Sequence, residues 1–475
     1  MQYIFCVTYF FKNKFTLLSI IIFLNLNLYS QTSEDNFLRG VDISFNNQIE
    51  DLGGTFKQNG VIKNVLDIFK DNGVNYVRLR LWHTPKDKYS GLAETIIFAK
   101  KIKSKGFKIL LDIHYSDWWA DPGQQNKPAA WANLNFTALK ESVYTYTKFV
   151  HESMKKENVL PEMVQIGNEI SGGMLWPDGK TWGVSDVNLG WKQFGDLLKE
   201  GIRGAKDGAN GSPLKIMIHT DKGGDNSTCI WYFDKLKSQG VEFDIIGLSF
   251  YPWWHGTFEQ LKYNLNDLAT RYNKEIVVVE TAYPWTTNWL NDGHGNVGVD
   301  YTKLIAGIPV SPEGQKNFLI SLRKIINETP NKKGIGFFYW EPAYISVSPI
   351  GSAWEHLTTF SFTGEALTSL SAFNLNLTNI HEQRDLTTSK YYLLQNYPNP
   401  FNGETIISYQ IPVKSNVNLK IYDLLGKEVK LLTNEIMEEG FYTTKFNASE
   451  LPSGIYYYKL ETNNQTEIKK MLLMK

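Results

Sequence analysis

Cysteine is nearly missing: two in 475 residues cannot build a disulfide framework. Cys6 falls in an N-terminal stretch that reads as a cleaved leader, so Cys229 would stand alone in the mature chain. Stability must then come from core size, and the chain is long enough for that. An excess of one charge is also absent, since 49 basic and 49 acidic side chains cancel. Neither nucleic acid nor an anionic membrane surface is an expected partner. The main apolar run near the N-terminus, Phe15–Leu24, is short of the ~20 residues a spanning helix needs, and asparagines interrupt its continuation. No Gly-rich phosphate loop follows the first strand candidate, which argues against an open nucleotide-binding sheet.

Aromatic residues are abundant instead: 14% of the chain, with 14 Trp. Flat apolar rings suit stacking on sugar C–H faces, although core and interface packing accounts for most of them.

Lys12 and Lys14 precede Phe15–Leu24, and the polar Tyr29-Ser30-Gln31 follows, so residues 1–31 read as a cleaved export signal. From residue 37 to 373 strand-like and helix-like segments alternate. The strand candidates are 38–44, 75–81, 107–113, 163–167, 214–219, 244–250, 275–279 and 334–340, and helical stretches include 61–72, 92–105, 135–155, 191–206 and 312–329. Eight such repeats predict a (β/α)8 TIM barrel with its active site at the strands' C-terminal ends. Residues 374–390 read as a polar linker. Residues 391–475, with strand candidates at 405–411, 417–422, 440–446 and 455–462, read as a small all-β sandwich.

Two strand candidates end in glutamate: Met163-Val164-Gln165-Ile166 runs into Gly167-Asn168-Glu169, and Ile276–Val279 runs into Glu280. Carboxyls after strands four and seven are what glycoside hydrolysis needs, one to protonate the leaving oxygen and one to attack or stabilise the sugar. Asn168 could donate to a sugar 2-hydroxyl. In Val77–Trp82 a period of two turns Arg78, Arg80 and Trp82 to the barrel interior. Arg80, nearer the open end, is expected to hold a catalytic carboxylate ionised, and Arg78 to pair deeper down with Asp112. A purely structural ion pair is the alternative for both. The stretch Asp112–Gly123 carries His114, Asp117, Trp118 and Trp119. Strand five ends in His219, strand six reaches Tyr251, and strand eight ends in Trp340. The substrate-binding candidates are thus Arg80, His114, Asp117, Trp118, Asn168, His219, Tyr251 and Trp340.

The stretches 77–82, 114–122, 127–131, 167–169, 247–254, 280–284 and 336–342 together resemble glycoside hydrolase family 53, the endo-β-1,4-galactanases. The resemblance implies Glu169 as acid/base and Glu280 as nucleophile, acting with retention on galactan side chains of pectin. No cofactor is implied for the chemistry. Some bacterial members hold calcium in the loop after strand seven. Here Asp292, His294 and Asn296 keep the alternate spacing, while Leu290 stands where a further acid is expected. An ordinary polar turn is the alternative. The segments 394–402, 422–429 and 451–456, with the basic ending 469–475, resemble the type A sorting domain of the type IX secretion system. That implies export to the surface or medium and a partner in the secretion machinery. A monomer is expected. A retaining β-glycanase for mannan or xylan, and a non-catalytic glycan-binding protein, stay open as alternatives.

Overall fold

A computed structural model of the chain describes residues 36–290, 294–374, 391–393, 395–396, 399–438, 440–463 and 465–474. The expected leader, residues 375–390 of the expected linker and Asp292 lie outside the described residues.

Eight parallel strands close into a barrel: β1 (Leu38–Asp42), β2 (Tyr76–Leu81), β3 (Lys108–Ile113), β4 (Met163–Ile166), β5 (Lys215–Thr220), β6 (Ile245–Phe250), β7 (Glu275–Thr281) and β8 (Gly334–Trp340). β8 pairs with β1, which leaves no open edge. The alternation in β2 sorts its side chains as a half-turn period requires: Val77, Leu79 and Leu81 join the outer core under the helices, whereas Tyr76 joins a second cluster inside the barrel. That inner cluster is a plug of Leu38, Leu110, Met163, Met217, Ile245, Val277, Val279 and Phe338. Gly40 makes room for it, since a Cβ there would lie 2.2 Å from the Phe338 ring. Above the plug the inward positions turn polar. Register sets Asp42 beside Arg78, Asp112 beside Gln165 and Ser249 beside Glu280, the last through an irregularity between Leu248 and Ser249.

The longer helices between strands are α1 (Val65–Asp71), α2 (Leu92–Ser104), α3 (Phe136–Lys156), α4 (Val187–Ala209), α5 (Asn226–Ser238), α6 (Phe258–Tyr272) and α7 (Pro312–Asn327), with short ones at Asn46–Asp51 and Pro252–His255. The helix expected from residue 61 starts four residues later. Asn64 caps α1 by accepting the Leu66 N–H, and Val61–Ile62 pair instead with Lys57–Gln58 in a short hairpin. After β8 a 3-10 turn, Thr368–Phe373, takes the place of an eighth α-helix, and Arg323 of α7 holds it through the Ala372 carbonyl at 2.6 Å. Among the described residues no helix is long and apolar enough to cross a membrane.

The C-terminal residues form two antiparallel sheets. Tyr392–Leu393, Glu404–Ile411 and Gly440–Asn447 make one; Glu428–Met437, Ser415–Tyr422, Gly454–Glu461 and Thr466–Leu473 make the other. Ile407, Tyr409, Val417, Leu419, Ile421, Tyr456 and Tyr458 share their core. Two of the three tyrosines at 456–458 therefore point inward.

Candidate active site

β7 delivers Glu280 to the barrel mouth with two donors waiting. Arg78 Nη1 donates to Oε1 at 2.8 Å and the Tyr251 hydroxyl to Oε2 at 3.0 Å. The same guanidinium donates to Asp42 Oδ2 at 2.9 Å, Asp112 Oδ2 at 2.8 Å and Asn168 Oδ1 at 2.9 Å. Burial pushes the Glu280 carboxyl up, to about 7, against the pull of Arg78. Burial also raises the Tyr251 phenol well above its ordinary value, so it stays a donor.

Across the mouth β4 ends in a left-handed turn, with Gly167 at φ 85° and Glu169 at φ 47°. Among the described residues no cation makes an ion pair with Glu169. Its Oε1 accepts from Ser249 Oγ at 2.6 Å. Burial, then the negative charges of Glu280 and Asp221, push this carboxyl well above the carboxylate range. Two acids three strands apart thus feel each other but sit in unlike surroundings, which drives their protonation states apart.

The arginine assignment changes. Arg78, not Arg80, grips the carboxylate. Arg80 turns into an aromatic cage, its guanidinium carbon 4.6, 4.5 and 4.2 Å from the ring centres of Phe45, Trp82 and Trp119. Its nearest carboxylate is the buried Glu341 at 3.7 Å. Barrel strands tilt, so the inward side chain one pleat lower is the one that meets β7.

The two acids open into a cleft of about 760 Å³. Arg80, His114, Trp118, Asn168, Tyr251 and Trp340 line it, together with Trp119, Trp254 and Trp354. Trp118 packs on Trp82 at 4.6 Å with the rings tilted by 34°, and Trp340 meets Trp354 edge-on at 4.5 Å. Trp354 lies in the loop beyond β8, where no strand period singled it out.

Asp117 and His219 are not in the cleft wall. Asp117 ties loops together, accepting from the Thr84 N–H at 2.9 Å and the Ala129 N–H at 2.8 Å. His219 is fully buried beneath the acids. Its Nε2 meets Ser249 Oγ at 2.8 Å, and its Nδ1 accepts from Gln165 Nε2 at 3.0 Å. With Ser249 donating onward to Glu169, the tautomer this requires is Nε2–H. His114 shows the cleft its ring alone: Nδ1 accepts the Ala120 N–H at 3.1 Å and Nε2 meets Asp112 at 3.0 Å. Asn168 gives one amide hydrogen to the Ala120 carbonyl at 2.9 Å, which leaves the other to face the cleft. Of the calcium candidates, Asn296 Oδ1 accepts the Gly298 N–H at 2.9 Å within its own turn. His294 packs against Gly351, where a Cβ would overlap its ring. Among the described residues no group of three or more His, Cys, Asp or Glu could hold a metal ion.

Residues 38–373 match the model of glycosyl hydrolase family 53. The chain belongs to that family. An arabinogalactan endo-β-1,4-galactanase of Thermothelomyces thermophilus is 37% identical, covering 70% of this chain and 98% of its own length. One of Cellvibrio japonicus is 34% identical over 69% of this chain and 87% of its own. Among solved structures, the family 53 catalytic domain of Ignisphaera aggregans superposes with a TM-score of 0.66 at 41% identity, covering 72% of this chain and 96% of that one. Residues 395–474 match the secretion system C-terminal sorting domain, which marks this family 53 hydrolase for secretion.

Proposed function

We propose that this family 53 hydrolase is an endo-β-1,4-galactanase that cleaves galactan and arabinogalactan side chains of pectin by double displacement. Glu280 is the nucleophile and Glu169 the acid/base. The observation that carries the assignment is the asymmetry of donors: Arg78 and Tyr251 stabilise charge on Glu280, while among the described residues the Glu169 carboxyl takes its hydrogen bond from the neutral Ser249.

In the first step a Glu280 oxygen bonds to the anomeric carbon as the glycosidic C–O bond breaks, and the leaving oxygen takes the proton of Glu169. Glu169, now ionised, removes a proton from water. That water bonds to the anomeric carbon, the ester to Glu280 breaks, and Glu169 ends protonated again. Glu169 and Glu280 thus supply the acid, the base and the first nucleophile, and water the second. Relatives named as galactanases support the sugar, and the tryptophan-lined cleft supports a polysaccharide chain as the ligand. We further read residues 1–31 as the signal for the first export step and 374–390 as the linker to the sorting domain.

The test is digestion of potato galactan, mannan and xylan by the catalytic domain with its sorting domain attached, products being sized. Galactan alone should fall to short oligosaccharides. Cleavage of mannan or xylan in its place would reassign the substrate, and full galactan hydrolysis by Glu280→Ala would remove Glu280 from the mechanism.

A further inference from the structure

Directly after Glu169 the chain makes a 3-10 turn, Ile170–Gly172, and then a two-residue-stranded hairpin, Gly173–Met174 with Gly179–Lys180. Two tryptophans stand on this turn. Trp176 donates from its indole to the Gly172 carbonyl at 3.1 Å. Trp182 lies against the bare α-carbon of Gly172, where an added Cβ would come within 2.6 Å of its indole nitrogen. The two rings meet edge-on at 5.9 Å and 85°. The Lys180 ammonium sits 4.5 and 4.3 Å from their centres. The hairpin is also anchored: the Trp176 N–H donates to the Gln125 carbonyl at 2.7 Å, Gln125 Nε2 donates to the Asn168 carbonyl at 2.8 Å, and Lys127 pairs with Asp178 at 2.8 Å.

Trp182 is thus held by one edge and a cation, yet 52% of it is exposed. An indole gripped in this way and left in water has surface to offer a ligand. Its place says which one. A general acid faces the leaving oxygen, and Glu280, on β7, faces the other side of the anomeric carbon. What stands beyond Glu169, away from Glu280, meets the chain that leaves. Gly172 is three residues on, roughly 6 Å along a 3-10 turn.

We propose that Trp182 is a stacking platform for the leaving-group side of the polysaccharide, a subsite outside the cleft between the two acids. The inference rests on the hydrolase reading above and adds to it where the departing chain is held. A platform there contributes binding only to substrates that carry sugars beyond the scissile bond. That binding energy is used at the reacting bond, so it enters kcat/KM for long chains.

The experiment compares the parent enzyme with Trp182→Ala and Trp182→Phe on two substrates: galactan, and an aryl β-galactobioside whose leaving group carries no sugar. Trp182→Ala should lower kcat/KM on galactan on the order of tenfold and leave the aryl substrate within about twofold, with Trp182→Phe between. Equal losses on both substrates would make Trp182 a prop for the Glu169 turn and overturn the proposal, as would an unchanged rate on galactan. If the parent enzyme spares galactan and cleaves another β-glycan, the sugar assignment fails by itself. The same comparison then runs on that polymer and its aryl disaccharide.

Discussion

Arg78 Nη1 and Glu280 Oε1 lie 2.8 Å apart although 202 positions separate them in the chain. The same guanidinium also serves Asp42 and Asp112. Burial alone would lower its pKa, but Asp112, Glu280 and Asp42 together raise it, so one cation balances three acids. Arg78→Lys keeps the charge and loses the planar fork. Its kcat should fall on the order of a hundredfold or more, and stability by about 3 kcal/mol as buried carboxylates lose partners. Steady-state kinetics with a urea midpoint checks both; a variant within twofold of the parent in kcat would refute the role.

The pH profile follows from the unlike carboxyls. Hydrolysis needs Glu280 ionised and Glu169 protonated, so the rate should rise through the lower apparent pKa of the pair and fall through the higher. Tyr251→Phe removes a donor to ionised Glu280. Its carboxyl then holds its proton to higher pH, and the acid limb of kcat/KM should move up by roughly half to one pH unit. An acid limb that stays in place would show the phenol has no part in the ionisation.

Much of this site was legible because carboxyls at strand ends follow apolar runs that only a buried strand explains. The observed β8, Gly334–Trp340, coincides with the stretch expected from sequence. Depth was not legible. Arg78 and Arg80 share a face of β2, and which one reaches β7 depends on tilt and on neighbours far away in sequence. Asp117 sits in a loop crowded with tryptophans, so composition pointed it at sugar; it accepts instead from the Thr84 N–H of the loop after β2 and from the Ala129 N–H farther along its own connection to α3. α5 went unmarked because its capping residue Asp225 sits in a Gly-Gly-Asp-Asn stretch that reads as a turn. There Asp225 accepts the Thr228 N–H and starts a helix. In the sandwich, Glu428–Met437 has few buried positions to alternate, and the usual strand signal is faint.

Asp117 lends itself to a loop test. Asp117→Ala strips the Thr84 and Ala129 N–H groups of their acceptor, which should cost about 1–2 kcal/mol in stability. The cleft walls loosen while both acids stay in place, so KM for galactan should rise more than kcat falls. A collapse of kcat at unchanged KM would place Asp117 at the reacting centre instead.

Stability should also fall with acid. His151, buried in α3, donates from Nδ1 to the Thr147 carbonyl at 2.8 Å. Burial lowers its pKa from 6.5 to about 4. The folded pKa lies below the unfolded one, so the unfolded chain takes the proton more readily. The stabilisation is complete above the unfolded value and is lost as pH falls from there toward the folded value. Between pH 7 and pH 5 this one group should remove about 2 kcal/mol. Urea midpoints of the parent and His151→Gln at both pH values measure it; an identical decline in the two would assign the loss elsewhere.

Retention through Glu280 is the central claim, and proton NMR of the sugar end first released from galactan addresses it most directly. A retaining double displacement predicts the β-anomer at the new reducing end before mutarotation sets in. The α-anomer appearing first would mean single displacement by water, and Glu280 could not then be the nucleophile.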